Sequence, residues 1–109
     1  MPTVYKVLGQ SNPAATTATT LYTVPSATSA VVSTLSICNL STTPATYRIA
    51  VRPAGATLAA AQYVAYDATL TSNNTITLTI GMTLAATDVV TVYASTANLS
   101  FSLFGSEIA

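Results

Sequence analysis

Short segments of alternating apolar and polar residues recur along this chain, and strand-breaking residues separate them. Tyr47, Ile49 and Val51 fall on one side of such a segment, with Thr46, Arg48, Ala50 and Arg52 on the other. Ile76, Leu78 and Ile80 oppose Thr75, Thr77 and Thr79, and Leu99, Phe101 and Leu103 oppose Asn98, Ser100 and Ser102. A period of two sends successive side chains to opposite faces of a strand. Helical periodicity is almost absent. Eight strands are predicted, at Val4–Leu8, Leu21–Val24, Ala30–Leu40, Ala45–Arg52, Gln62–Ala68, Thr75–Ile80, Asp88–Ser95 and Asn98–Phe104. That many short strands between turns predict an all-β fold, an antiparallel β-sandwich of about eight strands with a jelly-roll-like plan. At 109 residues the whole chain, 1–109, reads as one domain.

The same alternation predicts a core of Leu35, Ile37, Tyr47, Ile49, Val51, Ile76, Leu78, Val90, Val92, Leu99, Phe101 and Leu103. The segments Val31–Leu40 and Val89–Val92 are apolar on both faces, which places them centrally in a sheet or at a subunit contact. Pro53-Ala54-Gly55 must end the strand carrying Arg52, because proline cannot donate to a ladder. Thr71-Ser72-Asn73-Asn74 supplies residues that tolerate a left-handed backbone. Residues 11–20 are polar and rich in Ala and Thr, a candidate mobile loop or arm ordered by contacts with other subunits.

Composition narrows the function. Only six residues are charged, Lys6, Arg48, Arg52, Asp67, Asp88 and Glu107, and there is no histidine. Most catalysis needs titratable groups tuned against one another, so no enzyme and no catalytic residue is expected. No Gly-rich phosphate loop and no ligand set for a metal is present, so neither cofactor nor metal is expected. A net charge of zero gives no basic footprint for nucleic acid. No apolar run reaches membrane-spanning length, and the N-terminus lacks the pattern of a secretory signal. The single cysteine, Cys38, reads as a buried small hydrophobe of a central strand. A charged fraction of 6%, against about 25% in ordinary domains, predicts that part of the surface is covered by other subunits.

Candidate contact residues follow from these few polar anchors. Arg48 and Arg52 lie four apart on one strand face and suit forked bonds to a neighbour's carboxylates. The alternative is two solvated charges protecting an edge strand. A sugar-binding module would use exposed aromatics such as Tyr63 or Tyr66, with Gln62, Asn73 and Asn74 as amide partners. Asp88, after Ala86-Thr87, reads as a turn-capping carboxylate. The Thr75/Thr77/Thr79 stripe reads as an exposed β face.

Three stretches carry a family resemblance: VYKVLGQSNPAATTATTLYTVP, ICNLSTTPATYRIAVRPAGATLAAAQYVAYD and GMTLAATDVVTVYASTANLSFSLFGSEI. Together they resemble small virion structural proteins of tailed bacteriophages, including those of cyanobacterial hosts. Related sequences often carry Gly-Asp where this chain has Thr87-Asp88. The resemblance implies a non-enzymatic structural protein on the virion exterior, assembled in the host cytoplasm. Its first reading is a capsid decoration, or cement, protein that binds the major capsid protein and itself, as a homotrimer. The alternative is a tail, baseplate or neck fibre subunit, or a host-glycan-binding module.

Overall fold

The computed structural model describes residues 3–109. Among them, nine strands run in order: β1 Thr3–Ser11, β2 Thr19–Thr23, β3 Ser29–Asn39, β4 Ala45–Arg52, β5 Tyr63–Leu70, β6 Thr75–Leu78, β7 Met82–Leu84, β8 Val89–Ala94 and β9 Leu99–Ile108. They form two sheets. Sheet A has the order β1-β9-β3-β6, with β7 also pairing with β3; sheet B has the order β2-β8-β4-β5. Every pairing is antiparallel.

Two of the strands read as apolar on both faces, β3 and β8, lie inside their sheets, flanked on both edges. The strand not foreseen is β7. Gly81 interrupts the alternation, and the chain resumes pairing with β3 for three residues beyond it. β6 pairs with Leu35–Cys38 and β7 with Ala30–Val32, so the two share one edge of β3.

The inner faces of both sheets meet in one core. Leu35 and Ile37 from β3, and Leu99, Phe101 and Leu103 from β9, pack against Tyr47 and Ile49 of β4 and Val90 and Val92 of β8. Val51, Ile76 and Leu78 join this core only half-buried. Ile76 and Leu78 sit on an edge strand, where one flank has no neighbour. Cys38 is half-buried rather than buried, opposite Ser100 and Thr75. The phase of the alternation puts Ile37 and Asn39 inside and Cys38 outside. Gly9 and Gly105 permit close strand crossings: a Cβ would overlap the Leu21 carbonyl at Gly9 and the Val31 carbonyl at Gly105.

Polar pins hold the sandwich ends. Asn39 is 1% exposed. Its Nδ2 donates to the carbonyls of Thr43, Leu70 and Thr71, and its Oδ1 accepts from Ser41 N and Oγ. One side chain thus joins the loops after β3 and β5. Asp88 accepts from the backbone N–H of Ala54 and of Ala85, both at 2.9 Å, so it caps two turns at once. Residues 11–20 touch their own chain. Asn12 Nδ2 donates to the carbonyls of Ala97 and Leu99, Thr16 N donates to Ala94 O, and Pro13 is buried.

Candidate functional site

The most elaborate side-chain grouping lies on the outer face of sheet B, and irregularity in β5 creates it. Ile49 of β4 pairs with Ala65, and Tyr47 pairs with Ala68. Arg48 alone therefore faces two residues, Tyr66 and Asp67. That two-against-one count is a β-bulge, which bends the strand and re-aims its side chains. Asp67 takes φ of +50° within it. A second shift follows, since Ile49 pairs with Ala65 but Ala50 with Tyr63. In a regular strand Tyr63 and Tyr66, three apart, would point to opposite faces. The shift brings their rings together at 4.9 Å between centroids and 86° between planes.

Arg48 occupies the centre of the group. Its guanidinium carbon lies 4.2 Å from the ring centres of both Tyr66 and Tyr93. Tyr93 is its cross-strand partner on β8. Its Nε donates to Asp67 Oδ1 at 2.6 Å, and an Nη donates to Oδ2 at 3.3 Å. The forked pair and two ring faces hold the cation on three sides. The hydrogen bond to Asp67 raises the Arg48 pKa further, and the same bond holds the Asp67 carboxyl below its ordinary value.

Beside this group, Tyr63 and Tyr66 line an open cleft of about 560 Å³ with Leu58, Ala59 and Ala60. The cleft wall is built by the β4–β5 connection. Gln62 shapes it: its Oε1 accepts from Ala59 N and its Nε2 donates to Thr57 O. Arg52 anchors the start of the connection, donating from Nε to Ala56 O and from an Nη to Gly55 O. Arg52 also approaches Thr91 Oγ1 at 3.5 Å. Ala50 and Thr91, on this outer side, are buried.

These placements redistribute the residues singled out from sequence. Arg48 and Arg52, read as anchors for a neighbouring subunit, both engage groups of their own chain. The bulge delivers Asp67 to Arg48, and the turn after Pro53 delivers carbonyls to Arg52. The sugar-binding set divides. Tyr63 and Tyr66 come together, but Gln62 has its amide in the turn that closes the cleft. Asn73 and Asn74 lie beyond the far end of β5. There Asn73 N donates to Ser41 O, and Asn74 O accepts from Asn39 N. Sequence reasoning missed Asp67 and Tyr93 because neither the bulge nor a contact 19 positions along the chain leaves a local pattern.

The outer face of sheet A is different in kind. Tyr5 is 84% exposed, and Val7 and Val31 are exposed beside half-buried Phe104. Tyr5, Val7, Val31 and Phe104 line a shallow groove of about 480 Å³. On the opposite face of β1 and β9, Lys6 bonds Glu107 at 3.2 Å, and Glu107 also accepts from the Tyr22 hydroxyl at 2.6 Å. Burial first, then that bond to Glu107, pushes the Tyr22 pKa up. The Tyr22 bond, followed by Lys6, holds Glu107 low.

No family model matches the chain. Neither a curated protein nor a solved structure matches it.

Proposed function

We propose that this chain is a non-enzymatic structural protein of a tailed-bacteriophage virion, built as a jelly roll and held in place by subunit contacts. The pairing scheme supports the jelly roll. With β6 and β7 counted as one interrupted strand, eight strands remain. Their pairings then nest: β1 with β9, β2 with β8, β3 with β6 and β7, and β4 with β5. A long antiparallel ribbon folded over on itself produces this nesting. Jelly rolls with that plan serve in viral capsids and in lectins. Architecture alone does not assign function.

The observation that carries the reading is the outer face of sheet A. Tyr5, Val7, Val31 and Phe104 form an apolar patch there. Such a patch on a chain of so little charge suits burial against another subunit. The molecule is a slab of 45 × 27 × 19 Å, so this broad face is a large share of its surface. The first assignment is a capsid decoration protein on the virion exterior. It forms a homotrimer through this face and clamps neighbouring major capsid subunits. Copy number in the particle separates this from a tail, baseplate or neck appendage.

The test is a double substitution, Tyr5→Glu with Val31→Glu, which charges the patch and leaves the core alone. Light scattering is expected to show a trimer for the parent and a monomer for the variant. The variant, folded by circular dichroism, is expected to be lost from pelleted particles. A monomeric parent, together with full incorporation of the variant, contradicts the proposal.

A further inference from the structure

We propose that the cleft between Tyr63, Tyr66 and the Leu58–Ala60 segment binds a neutral hexopyranose unit of a polysaccharide. The inference concerns sheet B and stands apart from the assembly role given to sheet A.

Shape comes first. The two rings stand at 86° to one another and form two walls of a corner. Leu58 and the small side chains of Ala59 and Ala60 form the remaining side and leave about 560 Å³ open. Binding clefts for small ligands fall in the range of about 300–1,000 Å³. Tyr66 is 58% exposed, so much of a large aromatic surface faces water. An aromatic ring left wet beside a cavity suits a ligand with one apolar face and polar edges. A pyranose has such a face in its axial C–H groups.

Rigidity is the second point. Arg48 lies against the Tyr66 ring, Tyr93 backs Arg48, and Asp67 fixes the guanidinium. Tyr63 meets Tyr66 edge to face. A ring held in place before binding loses little rotamer freedom when a ligand arrives.

Charge and hydrogen bonding select the ligand class. No charged side chain lines the cleft, and Arg48, against Tyr66, is already paired with Asp67, so an anionic sugar or a nucleic acid phosphate finds no countercharge in it. The polar side chains that line the cleft are Tyr63 and Tyr66, whose hydroxyls both donate and accept hydrogen bonds. Sugar hydroxyls do both as well. A proline-rich peptide, the other common ligand of tyrosine-lined grooves, has no N–H donor at its prolines and can only accept there.

Affinity for one unit is expected in the range of about 1–10 mM; many copies on one particle would raise it by avidity. The test is titration of the whole chain with cellobiose, lactose and maltose, read by NMR on the tyrosine ring signals. 3′-Sialyllactose and a decaproline peptide serve as counter-probes. At least one neutral disaccharide is expected to shift the Tyr63 and Tyr66 signals saturably. Tyr66→Ala is expected to weaken that binding about tenfold or more, and Tyr5→Ala, on the other sheet, to leave it unchanged. Ala59→Trp, which fills the cleft while keeping Tyr66, is expected to abolish it. The proposal is overturned if no neutral disaccharide shifts these rings at about 50 mM, a concentration that reveals even very weak binding. It is equally overturned if only a counter-probe binds there, or if the Ala59→Trp protein binds as the parent does.

Discussion

Phe101 and Phe104 lie three positions apart in β9, and the fold puts them on opposite faces of sheet A. Phe101 is 1% exposed within the core, while Phe104 is half-buried in the outer patch. Truncating each to alanine tests the face assignment with the same chemical change. At Phe101 the change removes roughly 100 Å² of buried apolar surface, about 2.5 kcal/mol at about 25 cal/mol per Å². The cavity left between two sheets adds about 1–2 kcal/mol, which brings the cost to about 3–5 kcal/mol. A domain of this size has about 5–15 kcal/mol in total, so Phe101→Ala consumes a large fraction of its stability. At Phe104 the ring already meets water and no closed cavity forms, so the cost is about 1 kcal/mol or less. Urea unfolding at low protein concentration, with equal slopes for the two variants, gives both values. Equal costs at the two positions would refute the assignment of inside and outside along β9.

Thr87 holds φ of +69°, a strained setting for a β-branched residue; Thr87→Gly is expected to raise stability by about 0.5–1 kcal/mol in the same unfolding assay. Asn39→Asp keeps the side-chain shape but sets a carboxylate against the carbonyls of Thr43, Leu70 and Thr71, and is expected to cost about 3 kcal/mol or more. Tyr22→Phe removes the 2.6 Å bond to Glu107 and is expected to cost about 1.5–3 kcal/mol at neutral pH. Glu107 titrates low in the folded chain, so the difference between parent and variant is full above the ordinary carboxylate range and shrinks as pH falls through the lowered value. Tyr22 titrates high, so the same difference also shrinks as pH rises past the ordinary tyrosine value of about 10; unfolding midpoints measured across pH check both limbs.

Where alternation is regular, the fold was legible. β4 spans Ala45–Arg52, the range that its pattern of Tyr47, Ile49 and Val51 predicts. The inward face of β9, with Leu99, Phe101 and Leu103, follows for the same reason. β7 escaped because three residues after Gly81 are too few to show a period. The sheet B site escaped for a deeper reason. Strict alternation separates Tyr63 from Tyr66, and only two register shifts in β5 reunite them. Those shifts involve Asp67 at positive φ, a conformation for which sequence flags glycine or asparagine first. Arg48 was visible as a scarce cation, but its partners arrive from two neighbouring strands. Asn39 fell near the end of the predicted strand Ala30–Leu40, and its three carbonyl acceptors come from the loop after β3 and the end of β5, which the strand pattern does not link to it.

The most direct test of the virion assignment is quantitative mass spectrometry of purified particles of a phage that encodes this chain. The account predicts the protein in those particles at a fixed ratio to the major capsid protein, retained through density-gradient purification. Its absence from intact, infectious particles would contradict the central claim.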